Sequence, residues 1–102
     1  MQISKTTIDG VCILKPKIFE DSRGYFFESY NQKEFNLATS QDCYFVQDNQ
    51  SISSRGTLRG IHFQMEPMAQ AKLIQVLEGE IYDVAVDLRK DSKTYCQWVS
   101  VN

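Results

Sequence analysis

Short apolar stretches separated by turn-forming residues dominate this chain, and most follow the two-residue period of a β-strand. Val11 to Leu14 is apolar and rich in β-branched residues, and Pro16 stops it, which predicts the end or edge of a strand. Asp21, Ser22, Arg23 and Gly24 carry a turn signal, and the aromatic run Tyr25 to Tyr30 behind it predicts a second strand in a hairpin-like arrangement. Asn31 can cap a helix, with Glu34 three residues on to complete a capping box, so Gln32 to Ala38 is the one predicted helix. From Tyr44 the pattern predicts strands at Tyr44 to Ile52, Thr57 to Gln64, Lys72 to Glu78, Ile81 to Leu88 and Tyr95 to Val101. Gly79 marks a tight turn between two of them, and Lys90 to Lys93 is a polar loop before the last.

Strands this short and closely spaced favour antiparallel pairing, so the expected class is all-β: a cupin-like jelly roll or a small antiparallel β-barrel, with no parallel βαβ units. The chain has 102 residues and neither repeat nor linker, so residues 1–102 are read as a single domain with a modest core. Acidic and basic residues are mixed and the formal charge is −2, which presents no basic face to a nucleic acid or an anionic membrane. Met1 to Gly10 alternates polar and apolar residues without the apolar run of a signal peptide or a membrane span. Cys12, Cys43 and Cys96 are odd in number and lack the close pairing of zinc ribbons or redox motifs. Reduced structural thiols in a cytoplasmic protein are the expectation.

Candidate chemistry enters with a dense polar cluster in otherwise strand-like sequence. Gln47 to Ser51 is polar at five consecutive positions, so both faces of that strand would be hydrophilic, as an exposed edge or as the wall of a wet cavity. Arg55, Arg59, Gln64 and Lys72 follow, together with His62, the single histidine. Between Ile61 and Phe63 its ring is expected to be substantially buried. A lone strand histidine is more often a hydrogen-bonded structural residue; as a functional group it suits proton transfer, because its ordinary pKa lies near neutrality. One imidazole does not make a cupin metal centre, which needs several histidines and a carboxylate on one ion. A base of this kind can act on a C–H beside a ketone when a cation holds the enolate oxygen, and Lys72 or a nearby arginine could be that cation. Arg23, Arg55 and Arg59 suit bidentate phosphate contacts, although each alone is a commonplace surface residue.

Five ordered blocks carry a resemblance: Asp21-Ser-Arg-Gly-Tyr-Phe-Phe-Glu28, Phe45-Val-Gln-Asp-Asn-Gln-Ser51, Ser54-Arg-Gly-Thr-Leu-Arg-Gly-Ile-His-Phe-Gln64, Ala69-Gln-Ala-Lys-Leu73 and Glu80-Ile-Tyr-Asp-Val-Ala-Val-Asp87. Together they resemble the dTDP-4-dehydrorhamnose 3,5-epimerase family. The resemblance implies a cupin-like jelly roll that dimerises and inverts carbons 3 and 5 of a 4-keto-6-deoxyhexose attached to dTDP, with no metal or cofactor. It assigns His62 as the base and Lys72 to the keto oxygen, and makes Arg23, Glu28, Gln47, Asp48, Asn49 and Arg59 nucleotide and diphosphate contacts. Phe26 would lie beside the thymine or in the core.

Family members continue past the position of Asn102 through strands that close the barrel, and carry there the acid tyrosine, a second active-site histidine and the carboxylate that orients the base. By the same resemblance, residues 1–102 are a partial domain, inactive alone unless completed by strand exchange in a homodimer or by a complementing chain, or else a remnant of an epimerase. Two other readings stand beside the epimerase. One is a non-catalytic sugar-nucleotide binding module; the other is a related cupin that moves the keto group between carbons 4 and 3, which calls for more histidines near the motif. Strict strand alternation would put Arg59 and His62 on opposite faces, so their sharing one ligand calls for a bulge at Gly60.

Overall fold

The computed structural model describes residues 1–102. It is built mostly from strands, with one short helix: β1 (Gln2–Lys5), β2 (Cys12–Lys15), β3 (Ile18–Asp21), β4 (Gly24–Phe27), α1 (Gln32–Thr39), β5 (Asp83–Val86) and β6 (Trp98–Val101). The strands form three separate antiparallel pairs, β1 with β2, β3 with β4 and β5 with β6, and no barrel is closed.

Each hairpin is held by chemistry local to its turn. Between β1 and β2 the Val11 amide donates to the Ile8 carbonyl at 3.1 Å. Thr6 Oγ1 bridges the loop to the carbonyls of Ile8 and Val11. Gly10 lies at φ 86°, a value that suits glycine. Between β3 and β4, Asp21 accepts the Arg23 amide on its carboxylate at 2.8 Å, closing an Asx turn. Phe19 and Phe26 are opposite in the register and their rings sit 6.5 Å apart, a cross-strand aromatic pair. The loop between β5 and β6 winds around Asp87, whose carboxylate collects hydrogen bonds from Arg89, Ser92 and Thr94.

The helix begins as expected. Asn31 sits at φ −148°, ψ 118° and its side-chain oxygen accepts the Glu34 amide at 3.1 Å. The reciprocal half of the capping box is replaced by a different contact, in which Asn31 Nδ2 donates to Glu28 Oε1 at 3.1 Å. Phe35, on the inner face of the helix, is buried against Tyr30 and Phe45, with ring centroids 6.0 and 5.3 Å away. This aromatic cluster, together with buried Ile8, is the apolar core, and α1 lies against β1.

The structure corrects several sequence expectations. β1 and β3 were not anticipated. The strands expected at Tyr25 to Tyr30, Ile81 to Leu88 and Tyr95 to Val101 are present but shorter, ending where the Asn31 cap and the Asp87 loop take the backbone out of the ladder. The strands expected at Tyr44 to Ile52, Thr57 to Gln64 and Lys72 to Glu78 form no ladder, because no neighbouring segment of the chain supplies hydrogen-bond partners. Every residue from Val46 to Tyr82 is exposed. Ile52 at 93% and Leu58 at 91% exposure have strand-like sequence around them but nothing of this chain to pack against.

Candidate active site

The predicted site residues fall into two groups. Arg23 and Glu28 stand on or just after the β3–β4 hairpin, whereas Gln47, Asp48, Asn49, Arg59, His62 and Lys72 lie in the open region between Val46 and Tyr82.

At the hairpin tip the turn itself fixes the arginine. Arg23 Nη2 and Nε donate to Asp21 Oδ2 at 2.6 and 3.2 Å, while the Arg23 main-chain amide holds Oδ1 of the same carboxylate. The guanidinium, and then the amide, hold the Asp21 carboxyl below the usual carboxylate range, and the carboxylate in turn raises the pKa of Arg23. A depression of about 310 Å³ lies here, with Phe19, Asp21, Arg23 and Phe26 among its walls. Phe26 is 70% exposed, so its place is on this surface and not in the core. Glu28 is drawn the other way, toward the helix cap, by its bond from Asn31.

In the open region Gln47 Nε2 donates to Asn49 Oδ1 at 3.1 Å, with Asp48 between them. Arg59 reaches back over the Ser54–Thr57 turn, which Thr57 closes by donating its amide to the Ser54 carbonyl at 3.2 Å. Its Nε donates to Ser53 Oγ at 2.9 Å and its Nη2 to the Ile52 carbonyl at 3.3 Å. Arg55 lies within that turn. His62 and Lys72 are both exposed, which corrects the expectation of a buried imidazole: Ile61 and Phe63 beside it are themselves 70% and 64% exposed, so nothing in the chain covers the ring. Gly60, between Arg59 and His62, adopts φ 121°, a backbone value other residues rarely reach. A bulge in the strict sense is absent, since a bulge needs a partner strand, but the glycine does interrupt plain strand geometry between the two residues.

Sequence reasoning overlooked Asp21 and Ser53 as the partners of the two arginines. The signal for the first was present in the Asp-Ser-Arg spacing, since an Asx turn brings residues i and i+2 together. No comparable signal marks Ser53, six positions before Arg59. No three histidine, cysteine, aspartate or glutamate side chains are grouped so as to hold a metal ion.

A mostly β chain that carries one imidazole, an ammonium and two locally anchored arginines on open surface has the components of a site for an anionic, proton-exchanging ligand. Comparison with known proteins makes the class specific. The family model for dTDP-4-dehydrorhamnose 3,5-epimerase matches residues 5–102, and the chain belongs to that family. The dTDP-4-dehydrorhamnose 3,5-epimerase of Shigella flexneri is 53% identical over 102 residues, which is 100% of this chain and 56% of the relative. Among solved structures, the epimerase from Elizabethkingia anophelis superposes with a TM-score of 0.92 at 48% identity, covering 99% of this chain and 55% of that one. The dTDP-6-deoxy-D-glucose-3,5-epimerase of Legionella pneumophila, solved in complex with dTDP-4-keto-L-rhamnose, gives a TM-score of 0.91 at 47% identity, covering 98% of this chain and 53% of that one. The chain thus spans about half the length of the curated relatives it matches.

Proposed function

We propose that this chain supplies the proton-abstracting half of a metal-independent sugar-nucleotide 3,5-epimerase acting on dTDP-4-keto-6-deoxyglucose. The observation that carries the reading is the family match over residues 5–102, which takes in every candidate residue from Arg23 to Lys72. His62 is the base: its imidazole takes the proton from carbon 3 or carbon 5. The C–H electron pair becomes a C=C bond, and the keto π electrons move onto the carbon-4 oxygen. The ammonium of Lys72 holds that oxygen as it becomes negative. Return of a proton to the opposite ring face, from the tyrosine of the family pattern, inverts the carbon. Arg23 and Arg59 bind the diphosphate, with Glu28, Gln47, Asp48 and Asn49 as further nucleotide contacts and Phe26 beside the thymine.

Such chemistry works best where water is excluded, whereas His62 and Lys72 lie open. We therefore assign the covering surface to strands outside residues 1–102, whichever chain carries them, a second copy included; they would complete the cupin-like jelly roll around this partial domain. The likeness of the backbone to solved epimerases supports this arrangement. No helix is long and apolar enough to cross a membrane. We assign the chain to the cytoplasm on the spacing of Cys12, Cys43 and Cys96, which are odd in number and widely separated in sequence.

The test is incubation of the protein, in its native assembly, with dTDP-4-keto-6-deoxyglucose in deuterium oxide while NMR follows the sugar protons. Deuterium should enter at carbon 3 or 5, and His62→Ala should stop that exchange while dTDP affinity stays within a few-fold. Exchange that survives His62→Ala would refute the base. Tight dTDP binding with no exchange in the unaltered protein would leave a binding module in place of an enzyme.

A further inference from the structure

Arg23 and Arg59 lie in unrelated local settings, a β-hairpin tip and an irregular loop, yet both are held by the same edge. A guanidinium has two edges that can take an anion bidentately: Nε with the inner hydrogen of Nη2, and Nη1 with the outer hydrogen of Nη2. In Arg23 the Nε edge is taken by Asp21, at 3.2 Å from Nε and 2.6 Å from Nη2. In Arg59 it is taken by Ser53 Oγ at 2.9 Å from Nε and by the Ile52 carbonyl at 3.3 Å from Nη2. Neither Nη1 group is used by any hydrogen bond within the chain.

From this we infer that Asp21 and Ser53 are positioning residues that turn the Nη1–Nη2 edges of Arg23 and Arg59 outward, toward a diphosphate. The inference rests on the reading of those arginines as diphosphate contacts. Its physical basis is that a side chain as exposed as Arg23, at 88%, otherwise samples many rotamers and presents either edge. Asp21 is itself fixed to the backbone through the Arg23 amide at 2.8 Å, so the order of the turn passes through the carboxylate to the guanidinium. Ser53 is neutral, so Arg59 keeps its full charge, whereas Asp21 offsets part of that of Arg23. The two arginines therefore divide the work: Arg59 supplies most of the electrostatic attraction, and Arg23 supplies direction.

The opposing effect is like-charge repulsion between Asp21 and the ligand. Both ends of the Asp21–Arg23 pair are exposed and screened by solvent, so repulsion is weak beside the gain from a preset rotamer.

Calorimetric titration of the assembled protein with dTDP, and with thymidine as the phosphate-free control, tests this. Asp21→Ala and Ser53→Ala should each weaken dTDP binding by about three- to ten-fold and leave thymidine binding unchanged. Ser53→Thr, which keeps the hydroxyl, should recover most of its loss, whereas Asp21→Asn, which turns an amide NH2 toward Arg23 Nη2 in place of Oδ2, should not. If Asp21→Ala binds dTDP as tightly as the unaltered protein, or more tightly, the positioning role is wrong. An equal loss of thymidine affinity in both alanine variants would also overturn it, by reducing both residues to fold maintenance. Arg23→Ala and Arg59→Ala separate the two levels: unchanged dTDP affinity in these would overturn the diphosphate reading itself. A loss in the arginine variants with none in Asp21→Ala and Ser53→Ala would overturn the positioning alone.

Discussion

Asp87 has a side chain only 1% exposed, yet it remains a carboxylate, because its two oxygens accept from Arg89 Nε at 2.8 Å, Arg89 Nη2 at 2.9 Å, Ser92 Oγ at 2.6 Å and Thr94 Oγ1 at 2.7 Å. Arg89, Ser92 and Thr94, in that order, pull its pKa far below the ordinary value. The same arginine donates to the Asp9 carbonyl at 2.9 Å, tying the β5–β6 loop to the β1–β2 turn across 80 positions of sequence. The folded carboxyl is more acidic than the unfolded one, so its contribution is complete above about pH 4 and fades as the pH falls below that. Asp87→Asn should lower the thermal midpoint at neutral pH by at least about 5 °C, and the variant should lose less stability than the parent between about pH 5 and pH 2. Differential scanning calorimetry of both proteins across that range checks the two statements. At this scale the sequence made His62, Lys72 and the arginines legible as types, because imidazole, ammonium and guanidinium chemistry belongs to the residue. It did not reveal which neighbour each one holds, since Ser53 and Asp87 look like ordinary polar residues until the backbone brings their partners to them.

The elements that could be read correctly are those whose cause is local. Asn31 predicted the start of α1, and its bond to the Glu34 amide fixes that start in the structure. Asn31→Ala should cost about 1 kcal/mol of stability, read from denaturant unfolding, with reduced helical circular dichroism. The helix stops at Ser40, which takes φ 55°, ψ 30° without being glycine. The Asp21–Gly24 turn was legible for the same reason. β1 was missed although Asp9-Gly10, between alternating apolar residues, is a strong hairpin signal. The strands expected between Tyr44 and Glu78 had the right composition but lack partners, and composition reports only a tendency to pair. A strand exists when a second one lies 4.7–4.9 Å away.

For the molecule as a whole, surface is the decisive quantity. The accessible area is 9692 Å², against about 5,900 Å² for a compact monomer of this mass. The radius of gyration is 15.4 Å, where a compact chain of this length has about 12.8 Å. Ile8 and Phe35 are the only buried apolar residues, too small a core to offset the entropy of ordering the chain. The excess lies where Val46 to Tyr82 stays open, the stretch that also carries Arg59, His62 and Lys72. Hydrogen exchange should therefore find the Val46–Tyr82 amides unprotected in residues 1–102 alone and protected wherever strands from outside this stretch pair with them. Strong protection of these amides in residues 1–102 alone would contradict this.

What the sequence determined by itself is the chemistry and the local geometry: which side chains can move a proton or hold a phosphate, where α1 is capped, and where Asp21 turns the chain. These follow from interactions within a few residues, which are encoded together and need no distant partner. Tertiary structure alone decided that Asp87 is buried and bound to the amino-terminal hairpin through Arg89. Within residues 1–102, His62 and the apolar residues around it find no cover. Burial and strand pairing depend on surfaces that come from elsewhere in the fold, so a pattern read along the chain fixes which face would be buried without fixing what buries it.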